Sequence, residues 1–220
     1  MLVSQFPPQN MTTIIDALNW RYATKKFDPT KKVSDSDMEE ILEAGRLAPS
    51  SYGLQPWTFV VVTDPAVRAE LRKEAWDQTQ ITDASALIVL CAKTSLSTEY
   101  VGEFIHQIAT ARGQEVAELN GYKDMVSASI DRQNPQELIS WNQKQTYIAL
   151  GFLIETASLK QIDTCPMEGF SAEGFDRVLG LKEKGLTATV LCAVGYRAAD
   201  DPYAKNAKAR FSKERVVMRV

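Results

Sequence analysis

Basic side chains are concentrated in two short segments that lie far apart in the chain. The first is Arg21-Tyr22-Ala23-Thr24-Lys25-Lys26, and the second is Lys208-Ala209-Arg210, which has no strong helix or strand pattern. A phosphate dianion needs several cations with matching donors, and the fork of an arginine guanidinium suits its oxygens. We therefore predict that the fold brings the two segments together around one phosphate group.

Two turn-rich loops lie between the basic segments. They read Pro49-Ser50-Ser51-Tyr52-Gly53-Leu54-Gln55-Pro56-Trp57 and Pro166-Met167-Glu168-Gly169-Phe170. Prolines and glycines supply turn geometry there, and the serines offer hydroxyl and amide donors. We expect these two loops to line a flat ring.

Apolar spacing and capping residues predict the elements that position these segments. Helices are predicted from Thr12 or Thr13 to Trp20, from Ser34 to Pro49, from Asp64 to about Trp76, from Pro135 to about Lys160 and from Ser171 to Gly180. Strands are predicted over residues 58–63, 86–92 and 187–194, where β-branched and apolar residues run together. This order of elements predicts one domain, residues 1–220.

Three regions are interpreted as contacts with something outside the core. Residues 97–132 are polar and partly helical, with Gly102, Gly113 and Gly121 interrupting them, and we expect this excursion to cover a pocket or a partner. The helix from Pro135 is apolar most of the way round, which is typical of a large core or a subunit interface. Residues 215–220 have strand character, and we expect them to add to the sheet edge of another subunit.

Composition excludes several other classes of protein. The net charge is −3 over 220 residues, so no basic nucleic-acid face is expected. There is no apolar run of about 18 residues to span a membrane and no secretory signal, so we expect a cytoplasmic protein. Cys91 and Cys192 are expected to be buried thiols, and Cys165, beside the second loop, is a weaker candidate for reactivity. His106 is alone, and no metal site is predicted.

The chain resembles the nitroreductase family of FMN-dependent NAD(P)H oxidoreductases, particularly its oxygen-insensitive members. The landmarks are residues 21–25, 49–57, 83–85, 166–170, 181–185 and 208–210, which occur in this order. The resemblance implies an α+β fold with a central mixed β-sheet flanked by helices, and a homodimer with swapped C-terminal arms. It also implies two FMN sites at the dimer interface, each built from both chains.

The resemblance further implies a role for particular residues. Arg21, Lys208 and Arg210 resemble the family's phosphate-binding group, with Tyr22 beside Arg21, while Ala23 stands where the family often has a serine. The other matched residues are Lys25 at the flavin or nicotinamide, Pro49, Ser50 and Ser51 reaching over from the partner subunit, Asp77 or Gln78 with Gln80 at the pyrimidine edge, Glu168 and Gly169 at ring atom N5, and Tyr52 and Tyr122 in the substrate pocket.

The chemistry expected at such a site needs no acid–base pair and no nucleophile. Hydride would pass from NADH or NADPH to the flavin and then to a nitroaromatic or a quinone in ping-pong fashion, so binding geometry would do most of the catalysis. A neutral Gln80 would stabilise the reduced ring less than a cation would. Two alternatives stay open: a flavin or dihydropteridine reductase on the same scaffold, and a flavin-binding carrier or sensor without turnover.

Overall fold

The fold is built around a four-stranded antiparallel sheet. The computed structural model describes residues 13–220. Its strands are β1 (Trp57–Val62), β2 (Ala86–Lys93), β3 (Asp163–Met167) and β4 (Leu186–Gly195), in the order β1-β2-β4-β3. All strand pairs are antiparallel, and the parallel component of the predicted mixed sheet is present only as an isolated bridge between Ala23 and Thr164.

Three strands were predicted, whereas β3 was interpreted as part of a turn-rich loop. Its Pro166 cannot donate a backbone hydrogen bond and is therefore typical of an edge strand. β3 pairs only with β4 along its length, so Pro166 lies where a missing donor is tolerated. The second turn-rich loop, residues 166–170, is thus the end of the edge strand β3 and the turn that follows it.

Nine α-helices are present among residues 13–220. They are α1 (Ile14–Trp20), α2 (Asp35–Arg46), α3 (Pro65–Lys73), α4 (Gln80–Asp83), α5 (Thr98–Arg112), α6 (Asn120–Asp131), α7 (Pro135–Leu159), α8 (Ala172–Leu179) and α9 (Lys213–Val216). None of them is both long enough and apolar enough to cross a bilayer.

Capping residues fix the helix ends much as the sequence predicted. Thr13 forms a capping box with Asp16. The alternative cap Thr12, and the N-terminal residues in which no secretory signal was predicted, lie outside the described part of the chain. Ser34 and Ser171 cap α2 and α8 through their hydroxyls. Gly180 ends α8 in the left-handed conformation that glycine adopts without strain.

The sheet is covered on both faces, as the apolar pattern of β2 predicts. On one face Val89 lies in a cluster with Phe175 of α8. On the other, Leu90 lies in a cluster with Leu153 of α7. Every residue of β2 before Lys93 is buried, so this strand forms the centre of the core.

The excursion over residues 97–132 folds as α5 and α6 with a separate apolar cluster. Only Gly113 interrupts it, by ending α5 at a φ of 62°. Gly102 and Gly121 lie inside α5 and α6, so the expectation that all three glycines break helices was wrong. An isolated glycine costs a helix only about 1 kcal/mol, which tertiary packing offsets.

The C-terminal residues do not form the predicted strand within the chain. Lys213–Val216 is a short helix, and every residue from Ala209 to Val220 is exposed, with Met218 at 88% of its surface. A strand needs a neighbouring edge to pair with. This segment pairs with no strand among residues 13–220, and its pairing with the sheet edge of another subunit stays a prediction.

A buried arginine holds the chain between α3 and β2. Arg68 is 4% exposed, and its guanidinium donates to the carbonyl oxygens of Ile81 (2.7 Å), Ala84 (2.6 Å) and Ser85 (3.3 Å). Burial lowers the pKa of Arg68, and the nearby carboxylate of Asp83 partly opposes this. The arginine thereby fixes α4, which begins at the predicted site residue Gln80.

Replacing Arg68 with methionine keeps most of the side chain's length and removes its donors. Three carbonyl groups then lose a charged partner, so we expect a loss of about 3 kcal/mol or more in the free energy of unfolding. Urea denaturation followed by circular dichroism measures this loss. The control Arg112→Met, at an exposed position, should leave the unfolding midpoint close to that of the wild type, and equal midpoints for both variants would contradict the role of Arg68.

Candidate functional site

The structure brings Arg21, Lys208 and Arg210 together. Arg21 follows α1 directly, and the Nζ of Lys208 donates to its carbonyl oxygen. Burial and the charge of Arg210 lower the pKa of Arg21. Burial, followed by the charges of Arg21 and Arg210, lowers the pKa of Lys208 to about 8. Arg21 and Lys208, which are 187 positions apart in the chain, therefore lie close enough to repel each other electrostatically.

No carboxylate neutralises this group of cations. Within the described chain, none of the three forms a salt bridge. The Nε of Arg21 is buried without a hydrogen-bond acceptor. Since a buried donor without a partner is costly, an anion with several oxygens would satisfy both the donor and the charge.

Asp201 connects the first basic segment to the chain leading to the second. Its carboxylate is 1% exposed and accepts hydrogen bonds from the Tyr22 hydroxyl (2.9 Å) and from the backbone N–H groups of Lys25 (3.1 Å), Lys26 (3.2 Å) and Tyr203 (2.9 Å). Burial alone would raise the pKa of Asp201, but these hydrogen bonds hold it below its usual value. The negative charge of Asp201 is therefore held between the first basic segment and the chain that leads to the second.

A second buried carboxylate holds the segment from the other side. Asp163 accepts from the backbone N–H of Arg197 at 2.8 Å, and its Oδ1 lies 2.6 Å from an Nη of the same residue. The Arg197 guanidinium lies over the rings of Trp20, at 4.3 Å, and Tyr22, at 4.6 Å. Thr24 also donates to Asp163 at 3.3 Å. These contacts fix the direction in which α1 leads into Arg21.

The remaining predicted residues of this segment lie beside β3. Ala23 forms a parallel bridge with Thr164, and Lys25 is exposed. Cys165 is buried next to them, and burial raises its pKa although Lys25 and Arg21 act against this. The thiol is thus largely protonated at neutral pH. All three cysteines are buried and free, which confirms the prediction for Cys91 and Cys192.

A turn after β3 holds Glu168 and Gly169. Tyr147 of α7 donates its hydroxyl to Glu168 at 2.6 Å, and the side-chain amide of Gln78 donates to the carbonyl oxygen of Gly169 at 2.7 Å. The ring of Trp76 packs so closely on Gly169 that a Cβ there would overlap it. Glycine is therefore required for close approach, as predicted, although within this chain the approaching group is an indole.

The two residues matched to the pyrimidine edge differ in their placement. Asp77 has an 81% exposed side chain, and its carboxylate pairs with Arg72 at 2.7 Å. Gln80 is buried at the start of α4. Gln78, the alternative to Asp77, is the one that contacts the Gly169 turn. α3 ends at Lys73, before the predicted boundary, and Trp76 and Asp77, with positive φ angles of 53° and 56°, turn the chain that follows it.

The loop after α2 forms a separate group. Pro49, Ser50 and Ser51 lead to Tyr52, whose hydroxyl donates to Ser129 at 3.1 Å and whose carbonyl accepts from the Tyr122 hydroxyl at 2.8 Å. The predicted pocket residues Tyr52 and Tyr122 are thus brought together. Ser51 donates its backbone N–H to the Gln145 side chain of α7 at 2.9 Å. No hydrogen bond among residues 13–220 joins this group to the cationic group.

The helix α7 lies between the two predicted loops. Gln145 holds the loop at Ser51, whereas Tyr147 holds the turn at Glu168. Residues two positions apart on an α-helix differ in direction by roughly 200°. Within one chain, the loop at Ser51 and the turn at Glu168 are therefore held by side chains on opposite faces of α7.

Sequence reasoning missed four residues that organise these groups. They are Asp201, Tyr147, Trp76 and Arg197. An acidic residue shortly before the second basic segment is a weak signal for Asp201. Nothing in the local sequence marks the other three, because their contacts are with residues distant in the chain.

Comparison with known proteins agrees with this fold. The model of the nitroreductase family matches residues 18–196, and the chain belongs to this family of oxidoreductases. A Staphylococcus aureus protein named "Putative NAD(P)H nitroreductase SAB2397c" is 42% identical over 207 residues, covering 90% of this chain and 92% of the relative. The Bacillus subtilis protein named "Putative NAD(P)H nitroreductase YfkO" is 41% identical, covering 86% and 90%.

Solved structures show the same fold at lower sequence identity. A Bacillus subtilis protein described as a "putative nitroreductase ydfN" superposes with a TM-score of 0.85 at 18% identity, covering 96% of this chain and 100% of its own. An Exiguobacterium sibiricum protein, described as a "putative nitroreductase in complex with FMN", has a TM-score of 0.82 at 21% identity, covering 96% and 99%. The α+β nitroreductase fold predicted from the sequence is confirmed.

Replacing Asp201 with asparagine tests how the basic segments are held together. Asparagine keeps one acceptor oxygen, but its NH₂ must face donors that the other carboxylate oxygen now serves, and the charge is lost, so we expect a loss of about 2–4 kcal/mol in unfolding free energy at neutral pH. Because the pKa of Asp201 is lowered in the folded protein, the wild type loses this advantage as the pH falls through that value, and the two stabilities should converge in acid.

The neighbouring residue provides a matched control for this substitution. Asp200 is exposed and pairs with Lys26 on the surface, so Asp200→Asn should leave the urea midpoint unchanged at every pH. A stability difference between Asp201→Asn and the wild type that persists undiminished in acid would contradict the assignment.

Proposed function

We propose that the chain is an FMN-dependent oxidoreductase that takes hydride from NADH or NADPH and passes it to nitroaromatics or quinones by a ping-pong mechanism. The observation that carries the proposal is the group formed by Arg21, Lys208 and Arg210, which has no salt-bridge partner among residues 13–220 and leaves the buried Arg21 Nε without an acceptor there. This donor set fits the phosphate of FMN. Bound FMN would supply the two-electron carrier that the chain's own side chains lack.

The residues proposed to hold the phosphate act through charge and backbone groups. Arg21 would use the Nε donor that now has no acceptor, and Lys208 and Arg210 would add charge. Ala23 offers no hydroxyl, so one neutral hydrogen bond is missing relative to the family pattern, worth roughly 0.5–1.5 kcal/mol. Tyr22 is held by Asp201 and would orient the segment rather than bind the phosphate directly.

The ring would lie beside the Glu168–Gly169 turn. Among residues 13–220, the backbone N–H of Gly169 donates to no acceptor, so it is free to face ring atom N5. Gln80, with Gln78 or Asp77, would face the pyrimidine edge, and the exposed Lys25 would reach the flavin or the nicotinamide. With no cation replacing Gln80, the reduced ring would be stabilised less strongly.

A second copy of the chain would complete the site. The loop with Pro49, Ser50 and Ser51 lies across α7 from the Glu168 turn, so it would cover the ring of the partner rather than that of its own chain. Large apolar side chains on α1 and α7 are exposed in the single chain, namely Ile14, Ile15, Leu18, Ile148, Phe152 and Leu159. Their burial in a homodimer, with the exposed C-terminal arm swapped onto the partner, would explain this surface.

The relatives support the nucleotide and the cofactor. The names of the Staphylococcus aureus and Bacillus subtilis proteins state NAD(P)H nitroreductase, and the Exiguobacterium sibiricum structure contains FMN.

Tyr52 and Tyr122 lie together beside Trp141, whose ring is 6.3 Å from that of Tyr52. Aromatic side chains of this kind favour planar acceptors. We take residues 1–220 as one domain.

The purified protein should be yellow and should bleach anaerobically when NADH or NADPH is added. Adding a nitroaromatic or a quinone should restore the absorbance of the oxidised flavin, because the two half-reactions share one site. Stopped-flow absorbance measures both steps. Bleaching without re-oxidation by any acceptor would favour a carrier, re-oxidation only by free flavin or a pteridine would favour the alternative reductase, and a colourless protein that refuses FMN would overturn the proposal.

FMN affinity should fall above about pH 8. The pKa of Lys208 is about 8 in the free protein, and a bound phosphate dianion would raise it, so binding takes up a proton. Affinity should therefore decrease by up to tenfold per pH unit above this value. Lys208→Met should bind more weakly at pH 7 and lose this dependence, as measured by fluorescence titration of FMN.

Lys205→Met is the matched control on the same segment. Lys205 is exposed and forms no salt bridge within residues 13–220, so its replacement should keep both the affinity at pH 7 and the decrease above pH 8. If Lys208→Met retained the alkaline decrease, Lys208 would not be the group that takes up the proton.

A further inference from the structure

The turn that carries Glu168 and Gly169 is held from two sides by side chains distant in sequence. Tyr147 donates to the Glu168 carboxylate at 2.6 Å, and Gln78 donates to the Gly169 carbonyl oxygen at 2.7 Å. Within the turn, the N–H of Phe170 donates to the carbonyl oxygen of Glu168 at 3.0 Å. The peptide that carries the Gly169 N–H is therefore flanked by two held groups, the Glu168 side chain before it and the Gly169 carbonyl after it.

The direction of the Tyr147–Glu168 hydrogen bond follows from the chemistry of its partners. An ionised carboxylate only accepts, so the phenol is the donor. Burial and this hydrogen bond raise the pKa of Tyr147 to about 12, which keeps the donor proton in place at neutral pH. Tyr147 comes from the rigid interior of α7, a helix of 25 residues, and not from a loop.

We propose that Tyr147 is a positioning residue for hydride transfer, which acts through Glu168 to aim the free Gly169 N–H at the flavin. The inference rests on the proposed function. Without the phenol, the carboxylate would be free to rotate and the turn would keep the Gln78 contact, the hydrogen bond from the Phe170 N–H and the packing of Trp76. A small misplacement at the reacting atom lowers the rate of transfer without removing the distant contacts that bind the cofactor.

The same hydrogen bond also affects the electrostatics of the ring. The hydrogen bond that Tyr147 donates reduces the negative charge that the Glu168 carboxylate presents to its surroundings. Because reduction of the flavin adds negative charge, an unshielded carboxylate would disfavour the reduced form. Loss of the phenol should therefore make the midpoint potential of the flavin more negative, an effect that a purely structural role of Tyr147 would not produce.

The test compares Tyr147→Phe with the wild type, each loaded with FMN. We expect the Kd for FMN to stay within about threefold, the rate of flavin reduction by NADH to fall about tenfold, and the midpoint potential to become more negative. Fluorescence titration, stopped-flow absorbance and spectroelectrochemistry measure the three quantities. Tyr203→Phe, which removes an exposed phenol, is the matched control and should leave all three unchanged.

Substitutions of Glu168 separate position from charge. Glu168→Gln keeps an acceptor for Tyr147 but removes the charge, so it should reduce faster than Glu168→Ala and have a more positive midpoint potential, whereas Glu168→Ala should reproduce the slow rate of Tyr147→Phe. Adding Tyr147→Phe to Glu168→Ala should slow reduction no further, because both act on one hydrogen bond.

Several outcomes would overturn the inference. Equal potentials and rates in Tyr147→Phe and Tyr203→Phe would remove Tyr147 from the reaction. Additive losses in the double variant would show that the phenol acts independently of Glu168, and loss of FMN from Tyr147→Phe would make it a binding residue. A wild-type protein that binds no FMN would instead overturn the proposed function itself.

Discussion

The structure depends on bringing like charges together. Arg21, Lys208 and Arg210 repel one another, and their convergence is maintained by contacts that do not neutralise them. The buried carboxylate of Asp201 accepts three hydrogen bonds from the first basic segment and one from Tyr203 on the chain leading to the second, so its charge is used to hold the chain rather than to pair with a cation. The positive charge of the three cations therefore remains available to a ligand. The contacts around them offset the free energy of their mutual repulsion.

A single long helix separates the two groups of site residues and also supports both. Gln145 and Tyr147 of α7 project in nearly opposite directions, one to the loop at Ser51 and the other to the turn at Glu168. The same helix buries Leu153 against the sheet and leaves Ile148 and Phe152 exposed. The helix thus contributes to the core and supports both groups of predicted residues, and its apolar residues occur on buried and exposed faces alike.

Much of the fold could be predicted because the signals are local. Capping at Thr13, Ser34 and Ser171, and the apolar runs of β2 and β4, depend on neighbours within a few residues. The errors fall where distant contacts override local patterns. Pro166 lies in an edge strand because β4 supplies a partner, and Gly102 and Gly121 lie inside helices because tertiary packing offsets their cost.

The sequence by itself determined the elements, the two basic segments and the family resemblance, since residue types and their order carry that information. Only the tertiary structure decided that the cations converge without acidic partners, that Gln78 rather than Asp77 contacts the Gly169 turn, and that Tyr147 holds Glu168. Such contacts join residues that are up to 187 positions apart. Side-chain direction at these positions is set by packing of the whole chain, which no local pattern specifies.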